Sequence, residues 1–139
     1  MNTKFLIAGA AGFIISLMGG FLAHGILLQP DYHQIPALMR TEADAQGYLP
    51  FMLLSHFLKG FAFAWIYKQG ISGAPWINQA VRYGVAMILL VTVPLYLIYY
   101  AVEPMPGMLV VKQIVADSIV TMIMAIVVGL IYKSSAEAK

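Results

Sequence analysis

The 139-residue chain contains no cysteine. That excludes disulfides, thiolate metal centres, iron–sulfur clusters and thiol redox chemistry. Charge is almost as scarce. Asp, Glu, Lys and Arg make up 10% of the residues, against ~25% in an average soluble chain. The net charge is only +2, too small an excess of cations to point to nucleic acid. No nucleophile elbow, glycine-rich phosphate loop, zinc-protease helix motif or paired carboxylates occur, so the motif-bearing hydrolases and phosphate-binding enzymes are set aside. The expectation is a protein that is not an enzyme, and no cofactor is specified by composition.

What the chain has in quantity is apolar surface. Hydrophobic residues reach 61%, against roughly 45–50% on average, and the mean hydropathy is +0.83. A soluble globule of this size could not cover that surface. A disordered chain would not carry it. The composition therefore predicts an all-α integral membrane protein, a four-helix bundle forming one domain over residues 1–139.

Crossing ~30 Å of hydrocarbon takes ~20 apolar residues. Four stretches meet that length, at about 5–28, 48–67, 76–102 and 108–132. Pro50 falls in the first turn of the second, where proline is tolerated, and Pro94 predicts a kink in the third. The connecting segments are short, so neighbouring helices should be antiparallel. The first stretch runs too long for the core of a cleaved leader and is read as a span. Lys4, Lys68, Lys133 and Lys139 fall on one side, whereas Asp31, Glu42, Asp44 and Glu103 fall on the other with Arg40. The positive-inside rule then places both termini in the cytoplasm and the long first loop outside. Tyr32 and Tyr48 outside, with Trp65, Tyr67, Trp76 and Tyr132 inside, fit interface aromatics. Within the first loop, Pro36 to Ala45 reads as a short helix lying on the outer surface. Trp65-Ile66-Tyr67-Lys68 and Leu130-Ile131-Tyr132-Lys133 echo each other, as a duplicated hairpin would.

Helices in lipid associate through small residues and polar contacts, and residues four apart form a ridge. The first span offers Ala8, Gly12, Ser16, Gly20 and His24. The second offers Met52, His56, Gly60, Ala64 and Lys68. The fourth offers Gln113, Asp117, Thr121, Ala125 and Gly129. In the third, the ridge is taken as Asn78, Arg82, Ala86, Leu90 and Pro94. Gly12, Ser16, Gly20, Gly60, Ala64, Ala125 and Gly129 are the expected packing positions.

Each ridge also carries a polar residue that packing alone does not require. An ionisable group in hydrocarbon costs ~2.5–3.5 kcal/mol on insertion scales and should find a partner inside the bundle. His24, His56, Lys59, Arg82, Asp117 and Thr121 are therefore expected to form an intramembrane polar network. Counted at 1.5 Å per residue, His24 and His56 lie about 6 and 9 Å deep, and Lys59 and Asp117 about 14 Å. Lys112 is expected to snorkel to the interface.

Three readings follow. The first is a structural or accessory subunit, in a homo-oligomer or a larger membrane complex, with the lipid bilayer and other membrane chains as its partners and no nucleic acid. The second is a homo-oligomeric proton or small-solute transporter using Asp117, His56 and Lys59. The third is a haem or metal holder through His24 and His56; no metal-ligand spacing supports a metal. Gly19-Gly20-Phe21-Leu22 through Leu27-Leu28, with Gln113-Ile114-Val115-Ala116-Asp117 through Gly129, resembles a group of small four-span bacterial membrane proteins of unknown function. That resemblance implies a multi-pass protein of the bacterial inner membrane and supplies no activity.

Overall fold

The computed structural model describes residues 3–136, so Lys139, counted above in the charge bias, lies outside the described residues. All regular structure among them is helical. Four helices are long and apolar enough to cross a membrane: Thr3–Leu27, Leu49–Gln69, Trp76–Val102 and Gly107–Lys133. We call them the first to fourth spans. They agree with the expected stretches to within a few residues at each end.

The spans run antiparallel in sequence, so one end of the bundle holds the long first loop and the opposite end holds residues near both termini. The first span packs against both the second and the fourth, and the third packs on the fourth. The second and third touch mainly near the termini end, where the Tyr83 hydroxyl donates to the Phe63 carbonyl at 2.7 Å. Toward the middle they part, leaving a cleft.

Glycine explains how closely the first two spans approach. A Cβ on Gly60 would lie 2.3 Å from the Phe13 backbone nitrogen and 2.8 Å from the Gly12 carbonyl carbon. Only a residue without a side chain lets the two backbones meet, as in other small-residue interfaces in lipid. Ala8 and Ala64 are fully buried, Ser16 nearly so. The ridge of the fourth span is buried too, with Gln113, Thr121 and Ala125 at 3%, 3% and 0% exposure.

The third span departs from expectation. Its buried line is Gln79, Ala80, Gly84, Thr92 and Tyr96, whereas Asn78, Arg82, Ala86 and Leu90 are exposed. The expected ridge was chosen two residues out of step. Gly84 explains the true one: a Cβ there would meet Met122 and Ala125 of the fourth span at 2.8 and 3.0 Å.

Two spans change pitch. Phe21–Leu27 closes the first span as a π-helix, and Ile88–Thr92 interrupts the third in the same way. The second sits just ahead of Pro94, whose missing N–H cannot bond four residues back. The expected kink is thus expressed as a wider turn, after which Val93–Val102 continues as α-helix. Nothing comparable in the sequence marks the first.

The short helix expected at Pro36 to Ala45 is broken into two pieces. Pro36–Leu38 is a single 3₁₀ turn, Met39 is extended, and Glu42–Gln46 begins afresh. Thr41 causes the restart: its backbone is extended and its hydroxyl accepts from the Asp44 N–H at 3.3 Å, a helix cap. A separate short helix, Gln29–Tyr32, follows directly from the first span.

Toward the termini end the core is apolar and aromatic: Phe63, Tyr67, Val120, Met124, Ala125, Val128 and Tyr132 form one buried cluster. Tyr67 and Tyr132 stack at 5.8 Å and are 1% and 2% exposed. The sequence reads them as interface aromatics; the structure shows them packed against each other. They stand on the buried faces of their helices, and the two matching four-residue segments bring them together in the core.

Candidate functional site: a polar chain around Asp117 and His24

The fourth span places Asp117 against the π-helical end of the first span and the last helix of the third. Its Oδ2 accepts from the Tyr96 hydroxyl at 2.6 Å. Its Oδ1 lies 3.1 Å from His24 Nε2. The other imidazole nitrogen, Nδ1, lies 2.6 Å from the Tyr32 hydroxyl. Tyr32 in turn accepts from Gln113 Nε2 at 3.0 Å.

The directions of these bonds follow from donor counting. A carboxylate only accepts, so His24 presents Nε2–H to Asp117. A neutral ring then leaves Nδ1 as an acceptor, and the Tyr32 hydroxyl donates to it. The Tyr32 oxygen takes the Gln113 amide proton. The chain thus runs from the Gln113 amide through Tyr32 and His24 to Asp117, and Tyr96 closes it at that end; at the other end the buried Gln113 Oε1 has no hydrogen-bond partner. Burial is the main influence on the Tyr32 phenol and raises it above the usual tyrosine range. The Gln113 bond opposes this, and the charges of Asp117 and Asp31 reinforce it.

Residue counting alone put His24 and Asp117 at different depths, yet they touch. The fourth span rises past the end of the first, and the Gln29–Tyr32 helix folds against it. Lys112 Nζ binds Asp31 at 2.7 Å there. Lys112, expected to snorkel, is half-exposed and directs its ammonium group to Asp31, outside the span.

The other expected members of the network lie apart. His56 Nδ1 bonds the Ser16 hydroxyl at 2.7 Å and makes no hydrogen bond to Asp117 or His24. Lys59 and Thr121 share a different space, the cleft between the second and third spans. Arg82 is exposed at the termini end, beside Ser72, Gln79 and Tyr83. Of the six residues expected in one network, only His24 and Asp117 are hydrogen-bonded to each other; Lys59 and Thr121 border one cleft, and His56 and Arg82 stand at two further places.

Tyr96, Tyr32 and Gln113 were not expected in the network. Gln113 was on a ridge already chosen. Tyr96 lies on the correct ridge of the third span, four residues after Thr92, and that spacing was available in the sequence. Tyr32 depends on the break at Leu28, after which Gln29–Tyr32 begins a new helix with Pro30 in its first turn.

A cavity of about 410 Å³ opens beside His24 at the long-loop end, bordered by Tyr32, His33, Arg40 and Glu42. Arg40 is held at its rim by Asp44, at 2.7 Å, and lies 3.6 Å over the Tyr48 ring. A second, apolar cavity of about 640 Å³ is bordered by Met18, Phe21, His24, Met52 and His56. Both nitrogens of His24 are engaged within the chain, so that ring has no lone pair to offer a haem iron. Among the described residues no three His, Asp or Glu side chains converge as a metal site would require. Searches against protein-family models, curated proteins and solved structures find no match for the chain.

Proposed function

We propose that this chain is a non-enzymatic, multi-pass accessory subunit of a membrane assembly, placed in a bacterial inner membrane. The lysine bias puts both termini in the cytoplasm and the long loop outside. The observation that carries the functional reading is the closure of the polar chain upon itself. Asp117 has both oxygens occupied, His24 has both nitrogens occupied, and all the partners belong to the same chain. Such a chain fixes the register of the first, third and fourth spans. Beyond it, toward the termini, the buried cluster is largely apolar and aromatic, and its Tyr67 and Tyr132 hydroxyls make no hydrogen bond that would continue the chain.

A second reading, proton or solute transport, draws on the cavity that reaches His24 from the long-loop side. Proteoliposomes holding a pH-sensitive dye separate the two. The accessory reading expects the wild-type protein, under an imposed potential, to pass no more protons than protein-free vesicles. A flux through the wild type that disappears in Asp117→Asn would overturn it in favour of transport.

A further inference from the structure

Lys59 is the least accommodated residue in the bundle. Ten residues separate it from Leu49 and ten from Gln69, the two ends of the second span. At 1.5 Å per residue it is about 15 Å from either end, too far for its stem to bring the ammonium group to either interface. Yet it makes no hydrogen bond or ion pair with any described residue; the Asp117 carboxylate acts on it only through space. It borders a cavity of about 230 Å³ in the cleft between the second and third spans. Thr121 borders the same cavity, is 3% exposed, and its hydroxyl lacks a hydrogen-bond partner. Most of the remaining wall is apolar, with Phe63 and Val91 on opposite sides.

Charged groups within spans pair with one another or with backbone carbonyls. We propose that Lys59 and Thr121 receive a carboxylate carried near the midpoint of a transmembrane helix from a different chain. The proposal rests on the accessory reading and names the chemistry of the partner. Three observations select this occupant. The cavity has the size of a side chain, not of a helix ~10 Å across. Lys59 lies at mid-membrane depth, where a spanning helix presents side chains and a lipid carboxyl group anchored at the interface does not. Finally, a second copy cannot supply the charge. Of the six acidic residues only Asp117 falls within a span, and both its oxygens are already engaged.

The test uses designed partners. Leucine-rich transmembrane peptides with a central Glu, Gln or Leu are placed with the protein in phosphatidylcholine vesicles. Ala43→Cys, in the exposed loop of a chain with no other cysteine, carries the fluorophore for energy transfer. The wild type should associate at least tenfold more tightly with the Glu peptide than with the Leu peptide. Lys59→Met should lose that preference, whereas Lys59→Arg should keep most of it. Helicity and thermal stability of both variants show that they are folded. Equal association with the Glu and Leu peptides, or a preference undiminished in Lys59→Met, would overturn the pairing. So would displacement of the Glu peptide from the wild type by oleate at low mole fraction, which would assign the site to a lipid acid. Loss of the pairing without proton flux leaves the accessory reading standing, whereas flux removes that reading whatever the peptides do.

Discussion

Replacing Asp117 tests the polar chain most sharply, because two substitutions there should have different costs for stated reasons. In Asp117→Asn the amide oxygen still accepts from Tyr96, now 2.6 Å away. The amide nitrogen, however, confronts His24 Nε2–H across 3.1 Å, donor against donor. The ring must move its proton to Nδ1, and the Tyr32 hydroxyl must turn away. Two charge-assisted bonds are lost and neutral ones replace them. Hydrogen bonds to charged groups are worth ~1.5–3 kcal/mol in water-soluble proteins, whereas interhelical bonds in lipid average ~0.6 and reach ~1.7. The lower scale governs here, and we expect Asn to cost about 1–2 kcal/mol. Asp117→Leu leaves the Tyr96 hydroxyl and the His24 N–H without acceptors and should cost about 3 kcal/mol. Tyr96→Phe removes one donor and should cost about 1 kcal/mol. The double substitution Tyr96→Phe with Asp117→Leu should cost less than the sum, by roughly 0.5–1.5 kcal/mol. Unfolding by dodecyl sulfate in mixed micelles, followed by helicity, provides the free energies. An Asp117→Leu variant within about 0.5 kcal/mol of wild type would refute the reasoning.

Other substitutions probe the rest of the account. Gly60→Ala would place a Cβ among backbone atoms of the first span that cannot yield, whereas Gly12→Ala meets Gly60 only at 3.1 Å; Gly60→Ala should therefore cost about 1–3 kcal/mol and exceed Gly12→Ala in the same unfolding assay. Lys112→Gln breaks a half-exposed ion pair and should cost no more than ~1 kcal/mol, declining as salt is added. Tyr32 is raised by burial, so the folded state holds its phenolic proton more tightly than the unfolded chain does. Its contribution is complete below the ordinary tyrosine pKa of about 10 and is lost as pH rises through the higher folded value. Thermal melts at alkaline pH should thus show a steeper loss of stability in wild type than in Tyr32→Phe; parallel slopes would contradict the assignment.

Much of the bundle is legible in the sequence because lipid imposes a simple length rule. Four apolar stretches give four helices, and the small residues at Gly12, Gly60, Ala64 and Ala125 mark their contacts. The ridge of the third span is not legible from its polar residues, because Asn78 and Arg82 are exposed while the small residues Ala80 and Gly84 make the buried contact. The partner of Asp117 was hidden for another reason. Depth counted from helix ends assumes that all the ends are level. Here the fourth span overshoots the first, and a π-turn rewinds the end that carries His24. Those are properties of how the helices slide past one another, and no single span encodes them. The echo between Tyr67 and Tyr132 was visible as sequence. Its meaning, a stacked pair inside the core, needed the two hairpins to be packed together.

The account's central claim is that this chain works by association with another membrane chain. Native mass spectrometry of the protein released in small lipid particles from its own membranes tests that claim most directly. The account expects a mass that includes a second, different chain in fixed ratio, and expects Lys59→Met to weaken or abolish it. A monomer, or a homo-oligomer with no further mass, would contradict it.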